Sequence, residues 1–308
     1  MEGKMTRKRF GYLVGVLLVL GVVAYLGLKL YIENDARKRI HLWANQSAKF
    51  AGLSYQSLEV GLFTRTIQVG QVSLQIKDTD SPISIDRLIL YSFDIENEIP
   101  SFMHVQMKGI HIGQGNSFTK GVSPLLAQIG YAEINADVTY AYRYDPVKKD
   151  LEIQNILIRV ADAGQLQMTA QVNSLDLALV KSVPNNPLML ISLVPAVAIS
   201  GISLNFEDDS LTRRLIQLGA RQSDQTEEQF VSGISLQLNH EIQKQKQPAG
   251  TERLQAIENF IKNPGVIEMV VSPRQPIPLM RFVMMENAEQ LIDLLNITIN
   301  YQAIKQKK

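Results

Sequence analysis

The residue types that could perform metal, nucleophilic or phosphate chemistry occur in this sequence without the spacing that such chemistry needs. The histidines have neither paired spacing nor the Cys, Asp or Glu companions of a metal site; they are His41, His104, His111 and His240. The absence of cysteine excludes disulfides, thiolate ligands and cysteine catalysis. The sequence also lacks a GxSxG serine motif, a GxxxxGKS/T phosphate loop and a GxGxxG motif. We therefore predict that the protein is not an enzyme and uses no metal or cofactor.

One acidic cluster, Glu207, Asp208 and Asp209, carries the oxygen ligands that calcium prefers. Ser210 follows it, and apolar residues then recur at helical spacing at Leu211, Leu215 and Leu218. Acidic residues are favourable at the positive end of a helix dipole, and Asp and Ser are common capping residues. The cluster therefore predicts the start of a helix and not a metal site.

The charge balance argues against nucleic acid as a partner. The chain has 31 Lys and Arg residues against 30 Asp and Glu residues. A nucleic-acid-binding protein normally shows an excess of basic residues, so we expect no nucleic-acid partner.

An uncharged apolar segment near the N-terminus predicts contact with a membrane. Residues 10–28 form nineteen consecutive residues without a charge, after a basic start at residues 1–9. At about 1.5 Å per helical residue this segment covers nearly the whole hydrocarbon core of a bilayer, and residues 30–32 complete the span. We predict a transmembrane helix over residues 10–32, with the lipid bilayer as a partner. A signal peptide cleaved after Ala24 is the alternative.

The orientation predicted for this span depends on the domain behind it. Lys29, Arg37, Lys38 and Arg39 lie beyond the span and balance the basic residues before it. Long domains are translocated largely regardless of charge. The predicted topology is therefore a single crossing, with a cytoplasmic N-terminus (residues 1–9) and the main domain outside the cytoplasm.

The rest of the chain changes from a helical to a strand period. Residues 33–52 keep a helical rhythm and predict an extension of the anchor helix, whose apolar stripe lies on the first strands or in the lipid interface. From residue 53 apolar and polar residues alternate, with a parity slip at Gly70 that predicts a bulge or a tight turn. We predict a first β-sheet segment over residues 53–122 and a second β meander over residues 123–207. One face of this sheet is apolar, so a second layer must cover it.

The last third of the chain supplies candidate cover. Residues 208–263 predict a helical segment, with a capping box at Thr226 and Gln229 and a stop at Asn263-Pro264-Gly265. Residues 264–308 predict a mixed strand and helix segment with a basic tail. The predicted fold class is α+β: a single N-terminal transmembrane helix followed by a curved antiparallel β-sheet body with a C-terminal helical insertion or cover.

The order of these features resembles a known family. A basic start, a single span, a helix and then SYQSLEVGLFTRTIQVGQVSLQI at residues 54–76 resemble the opening of the AsmA-like proteins, which are anchored in the bacterial inner membrane and carry a curved sheet in the periplasm. The resemblance covers residues 1–112. It implies a single-pass location in the bacterial inner membrane, with the main domain in the periplasm. The remainder, with YRYDP, FEDDSLTRRL and KNPG, resembles uncharacterised proteobacterial proteins of the same anchored type.

The AsmA-like resemblance implies a groove whose apolar face holds lipid acyl chains, and a role in envelope lipid traffic or homeostasis. Phospholipid is then the expected ligand. The candidate groove residues are Val60, Leu62, Val69, Val72, Leu74, Ile85, Leu88, Leu90, Val105 and Met107. The alternative function is a structural or assembly scaffold with a fully packed core, which binds another envelope protein. Exposure of the apolar face discriminates between the two.

Overall fold

The protein is built around one large antiparallel sheet. The computed structural model describes residues 27, 29–38, 51–77, 81–94, 96–97, 99–113, 123–182, 194–245, 248–284 and 288–304. Within them, twelve strands form a single sheet in the order β1-β3-β4-β5-β6-β7-β8-β9-β10-β12, with β2 beside β3 and β11 beside β9. The strands are β1 (Ala51–Ser54), β2 (Ser57–Gly61), β3 (Thr66–Ile76), β4 (Ile83–Phe93), β5 (Phe102–Gly113), β6 (Glu133–Asp145), β7 (Asp150–Val160), β8 (Gly164–Asn173), β9 (Ala198–Asp208), β10 (Val266–Val271), β11 (Ile277–Pro278) and β12 (Ile297–Gln302).

Most of the described helices lie in the second half of the chain. Those of the described residues are α1 (29–38), α2 (Ser123–Gln128), α3 (Leu177–Ser182), α4 (Leu211–Gln222), α5 (Glu227–Lys244), α6 (Pro248–Lys262), α7 (Leu279–Met284) and α8 (Ala288–Leu295). The predicted capping box is confirmed: the Thr226 side chain accepts from Gln229 N–H, and Gln229 accepts from Thr226 N–H. The predicted stop is also confirmed, because α6 ends at Lys262, before the Asn-Pro-Gly sequence.

The strand register joins the alternating apolar residues into continuous rows. Directly opposed residues of an antiparallel pair project from the same face of a sheet. One row consists of Val69, Leu88, Met107, Val138, Ile158, Leu166, Phe206, Ile267 and Tyr301. A second row consists of Ile67, Leu90, Val105, Tyr140, Ile156, Met168, Leu204, Met269 and Ile299. We call the face that carries both rows the apolar face.

The parity slip at Gly70 is an irregularity inside a continuous strand. β3 runs through Gly70, and the next residue, Gln71, has a φ of 51°. A matching slip lies on β5, where Gly109 has a φ of 61°. Two residues of β5 oppose Asp137 of β6 there, and Gly109 N–H donates to Asp137 Oδ1 at 2.8 Å. Because of this bulge on β5, Met107 and Ile110, which lie on either side of it, project from the same face of the sheet.

A compact core lies at the β1–β5 end of the apolar face. Ala36 of α1 is 7% exposed, and Ile32 packs against the same cluster. Glu33 of α1 accepts a hydrogen bond from Val60 N–H at 3.2 Å, which ties the helix to β2. The buried strand residues of this cluster are Leu58, Val60, Val69, Val72, Ile83, Ile85 and Ile110.

The structure corrects the predicted fold class and location. Among the described residues no helix is long and apolar enough to cross a membrane. Of the predicted span, residues 10–26 and 28 lie outside the described residues. Helix α1, which takes up the end of the span, carries Lys29, Glu33, Asp35, Arg37 and Lys38 within ten residues. The predictions of a single N-terminal transmembrane helix and of a single-pass inner-membrane location with a periplasmic domain are contradicted by this finding. The fold observed is a large antiparallel sheet with several helices.

Candidate apolar ligand site

Helices cover the apolar face at both ends of the sheet. At the β1–β4 end the cover is α1, through Ile32 and Ala36. At the other end it is α6, where the ring centroid of Phe260 lies 6.1 Å from Phe206 and 6.5 Å from Tyr301, both in edge-on geometry. Phe206 and Tyr301 belong to the same apolar row. The two helices therefore lie on one face of the sheet, at opposite ends of the strand order.

The middle of the apolar face differs in burial from the core beneath α1. On β6, β7 and β8 the face carries large apolar side chains that are half-buried, as they are at the α6 end. Beneath α1, by contrast, Val60, Val69, Val72 and Ile85 are buried. We call these residues the central strip: Val138, Tyr140, Ile156, Ile158, Leu166 and Met168. Contiguous apolar surface of this kind is typical of a binding site.

The structure places all ten predicted groove residues on the apolar face, but not in one environment. Val60, Val69, Val72 and Ile85 are buried, with exposed fractions of 5 to 8%. Half-buried residues pack around them at Leu62, Leu74, Leu88 and Met107. Leu90 and Val105 are half-buried and lead along the second row to Tyr140 of the central strip. The predicted groove thus divides into a core beneath α1 and a margin of the central strip.

A cavity of about 410 Å³ lies where α6 covers β10 and β12. Its apolar walls are Leu254 and Ile257 of α6, Ile292 of α8, and sheet residues of the apolar face. The sheet residues are Met269, Ile297 and Ile299. Since Met269 and Ile299 end the second row, the cavity continues the surface of the central strip through Leu204. The strip and the cavity together extend over about five strand spacings, roughly 24 Å.

Polar groups lie on one side of this cavity. Arg253 of α6 is half-buried, and its Nη1 donates to the carbonyl of Ile297 at 3.1 Å. Lys244 and Asp293 also line the cavity and are exposed, so they mark where it opens to solvent. An apolar cavity with a few polar groups at its opening is the usual form of a small-molecule site.

A wider, more polar depression of about 1180 Å³ lies at one end of β5 to β8. Its wall includes Ser101, which donates through both its N–H and its hydroxyl to Asp94 Oδ2, at 2.8 and 2.6 Å. Asn97 and Glu96 also donate to Asp94. These hydrogen bonds, with the Ser101 hydroxyl foremost, hold the pKa of Asp94 far below its usual value. A carboxylate saturated with donors is a poor base, so its role here is to hold the β4–β5 turn.

The residues considered for metal chemistry have other roles. His111 Nδ1 lies 2.5 Å from Asn135 Oδ1, and this hydrogen bond raises the pKa of His111 above its usual value. Asp208 is 7% exposed, and its Oδ1 accepts from the N–H and the hydroxyl of Thr212, both at 2.8 Å. The acidic cluster therefore does begin a helix, although Asp208 and not Ser210 supplies the side-chain cap. Within the part of the chain that the structure describes, no group of three or more His, Asp or Glu residues could hold a metal ion.

Sequence reasoning did not find the α6 cavity or Arg253. Leu254, Ile257 and Phe260 have helical spacing, but such spacing predicts only ordinary helix packing. The cavity exists because α6 lies against β12, which is 44 residues further along the chain at the Arg253–Ile297 contact. A single arginine next to an apolar helical pattern does not predict a contact with a strand so far along the chain.

Comparison with known proteins gives one match. A family model described as "Uncharacterized protein" matches residues 157–302, just under half of the chain. The matched region is similar to that family and includes β8 to β12, the helices α3 to α8 and every residue that lines the α6 cavity. No curated protein matches the sequence.

Proposed function

We propose that this protein binds the acyl chain of a lipid on the apolar face of its sheet, along the central strip and into the α6 cavity. The observation that carries the proposal is the continuity of half-buried apolar residues from Tyr140 through Met168 to Met269. Phospholipid, the ligand expected from the sequence, belongs to this class. The proposal is for a binding protein and not for an enzyme.

The driving force for such binding is the removal of apolar surface from water. Each Å² of apolar area that a ligand covers contributes about 25 cal/mol. The backbone of the central strip is already ordered by strand pairing, so a ligand that covers it adds only the cost of ordering side-chain rotamers. A flexible acyl chain can follow a strip of this shape, whereas a compact polar solute would leave it exposed.

The first experiment identifies what the protein carries. Native mass spectrometry of the gently purified full-length chain should show a stoichiometric lipid adduct, and the extracted lipid should be identified by its fragments. A protein that carries no lipid and also fails to bind added lipid would contradict the proposal.

A pair of variants on β8 locates the site. Met168 lies on the apolar face, and its neighbour Gln167 projects from the opposite face and is exposed. Met168→Lys should reduce the affinity for a fluorescent acyl-chain probe at least tenfold, because a charged group would have to be desolvated. Gln167→Lys adds the same charge on the same strand and should leave the affinity unchanged. Equal effects of the two variants would place binding elsewhere.

The alternative function, a surface that binds another protein, has one observation in its favour. Val60, Val69, Val72 and Ile85 belong to a packed core beneath α1, as the scaffold hypothesis expects. A co-purifying protein bound at constant stoichiometry, in the absence of lipid, would favour this alternative.

A further inference from the structure

The half-buried guanidinium of Arg253 has no carboxylate partner among the residues that the structure describes. Its one hydrogen bond among the described contacts runs from Nη1 to the carbonyl of Ile297. A guanidinium carries five N–H donors, so most of its hydrogen-bonding capacity is unused. Placing a cation against apolar side chains costs free energy unless an anion or several acceptors offset it. The structure of the chain alone therefore does not explain why an arginine lies here.

The neighbouring charges do not supply that partner. Lys244 at the same opening has its own partner, Glu241, with Nζ 2.8 Å from Oε1. This contact lowers the pKa of Glu241. Asp293 also lines the cavity but forms no ion pair with Arg253 among the described contacts. Among the described residues that line the cavity, Arg253 is thus the half-buried cation without a carboxylate partner.

The rest of the cavity is mainly apolar and therefore favours an apolar group at the other end of the ligand. Leu254, Ile257, Ile292 and Ile299 form apolar walls around a volume of about 410 Å³, within the usual range of about 300 to 1,000 Å³ for small-molecule sites. The apolar surface continues through Met269 to the central strip. A ligand that matches both parts has one compact anionic group and one long apolar chain.

We infer that the ligand of this site is a long-chain carboxylate, whose carboxylate is bound by Arg253 at the opening of the α6 cavity and whose chain lies along the cavity and the central strip. This inference rests on the proposed function. A single planar guanidinium matches the single charge and planar geometry of a carboxylate in a bidentate pair. A phosphate monoester would require more positive charge than this opening offers.

The test compares two ligands of equal chain length on the full-length protein. Calorimetric titrations with dodecanoate and dodecan-1-ol should give an affinity about tenfold higher for the carboxylate, as expected for a charge-assisted hydrogen bond. In Arg253→Gln the carboxylate should bind no better than the alcohol, while the affinity for the alcohol stays the same. Arg274→Gln removes an exposed arginine outside the cavity and should keep the tenfold preference.

The possible outcomes separate this inference from the proposed function. If neither ligand binds the native protein, the proposed function is wrong. If both bind equally, or if Arg253→Gln keeps the preference for dodecanoate, the proposed binding of the apolar chain is supported. The role inferred for Arg253 is then wrong. Tighter binding of a dodecyl phosphate than of dodecanoate would overturn the carboxylate assignment. The comparison on the native protein holds even if Arg253→Gln does not fold.

Discussion

Glu258 is 2% exposed and lies within 2.5 Å of Lys262 Nζ, one helical turn away on α6. The same carboxylate accepts a hydrogen bond from Asn239 Nδ2 of α5 at 3.1 Å and another from Gln255 at 3.2 Å. A buried charge with several donors is stable only while those donors are in place. This cluster therefore fixes α5 against α6, the helix that covers the ligand cavity.

Replacement of Glu258 should destabilise the helical layer. Glu258→Gln keeps the shape of the side chain but removes the charge that Lys262 and Asn239 contact. We expect the free energy of unfolding to fall by about 1–3 kcal/mol, measured by urea denaturation. Glu252→Gln, an exposed glutamate of the same helix, is the control and should change it by less than about 0.5 kcal/mol.

The stability of the protein should depend on pH through the same residue. The hydrogen bond from Lys262 is the main cause that lowers the pKa of Glu258 in the folded state. A carboxyl with a lowered folded pKa contributes its full stability above its unfolded pKa of about 4.3, and loses it as the pH falls through the folded value. The native protein should therefore lose stability below about pH 4.3 more steeply than Glu258→Gln. Parallel curves for the two proteins would contradict this assignment.

Gly219 of α4 packs against the ring of Phe230 of α5. A Cβ on Gly219 would lie 2.7 Å from Phe230 Cε1, too close for any relaxed contact. Gly219→Ala should cost about 1–3 kcal/mol because the ring or the helix must shift. Gly233→Ala on α5 is the matched control: a Cβ there meets no atom within 4 Å. It should stabilise the protein by about 0.4–1 kcal/mol. Thermal unfolding of both variants measures the difference in sign.

The core beneath α1 should be sensitive to truncation. Leu58 of β2 is 3% exposed within the cluster that includes Ala36. Leu58→Ala should lower the free energy of unfolding by about 2–5 kcal/mol, measured by denaturant unfolding. Leu236→Ala, at a position that is 75% exposed on α5, should change it by less than about 0.5 kcal/mol. A small effect at Leu58 would mean that α1 does not cover this part of the sheet in solution.

Asp94 offers a test of the β4–β5 turn. Its carboxylate accepts from Ser101, Asn97 and Glu96, all within the turn. Asp94→Asn should lower the melting temperature and increase amide hydrogen exchange at Ser101, since an amide oxygen is a weaker acceptor than a carboxylate. Glu96→Gln, at an exposed position in the same turn, should leave both unchanged. Unaltered exchange at Ser101 in Asp94→Asn would contradict the role assigned to Asp94.

Most of the local structure is predictable from patterns of neighbouring residues. Alternation predicts the strands because successive residues of a strand face opposite sides. The Thr226 capping box and the Asn-Pro-Gly stop after Lys262 depend on contacts within a few residues, so their chemistry is visible in the sequence. The parity slip at Gly70 likewise predicts an irregularity that the structure shows at Gln71. The transmembrane helix predicted from the apolar N-terminal segment is contradicted, since no helix among the described residues could cross a membrane.

Only the tertiary structure decided which apolar residues form a core and which form a site. Val69 and Tyr140 have the same alternating pattern, yet α1 buries the first and leaves the second half-buried. Arg253 becomes a candidate ligand-binding residue because α6 lies against β12, which brings it to the carbonyl of Ile297. Alternation is a property of neighbouring residues, whereas burial depends on strand order, register and the helix that lies above. Those relationships join residues far apart in the chain, and no local pattern specifies them.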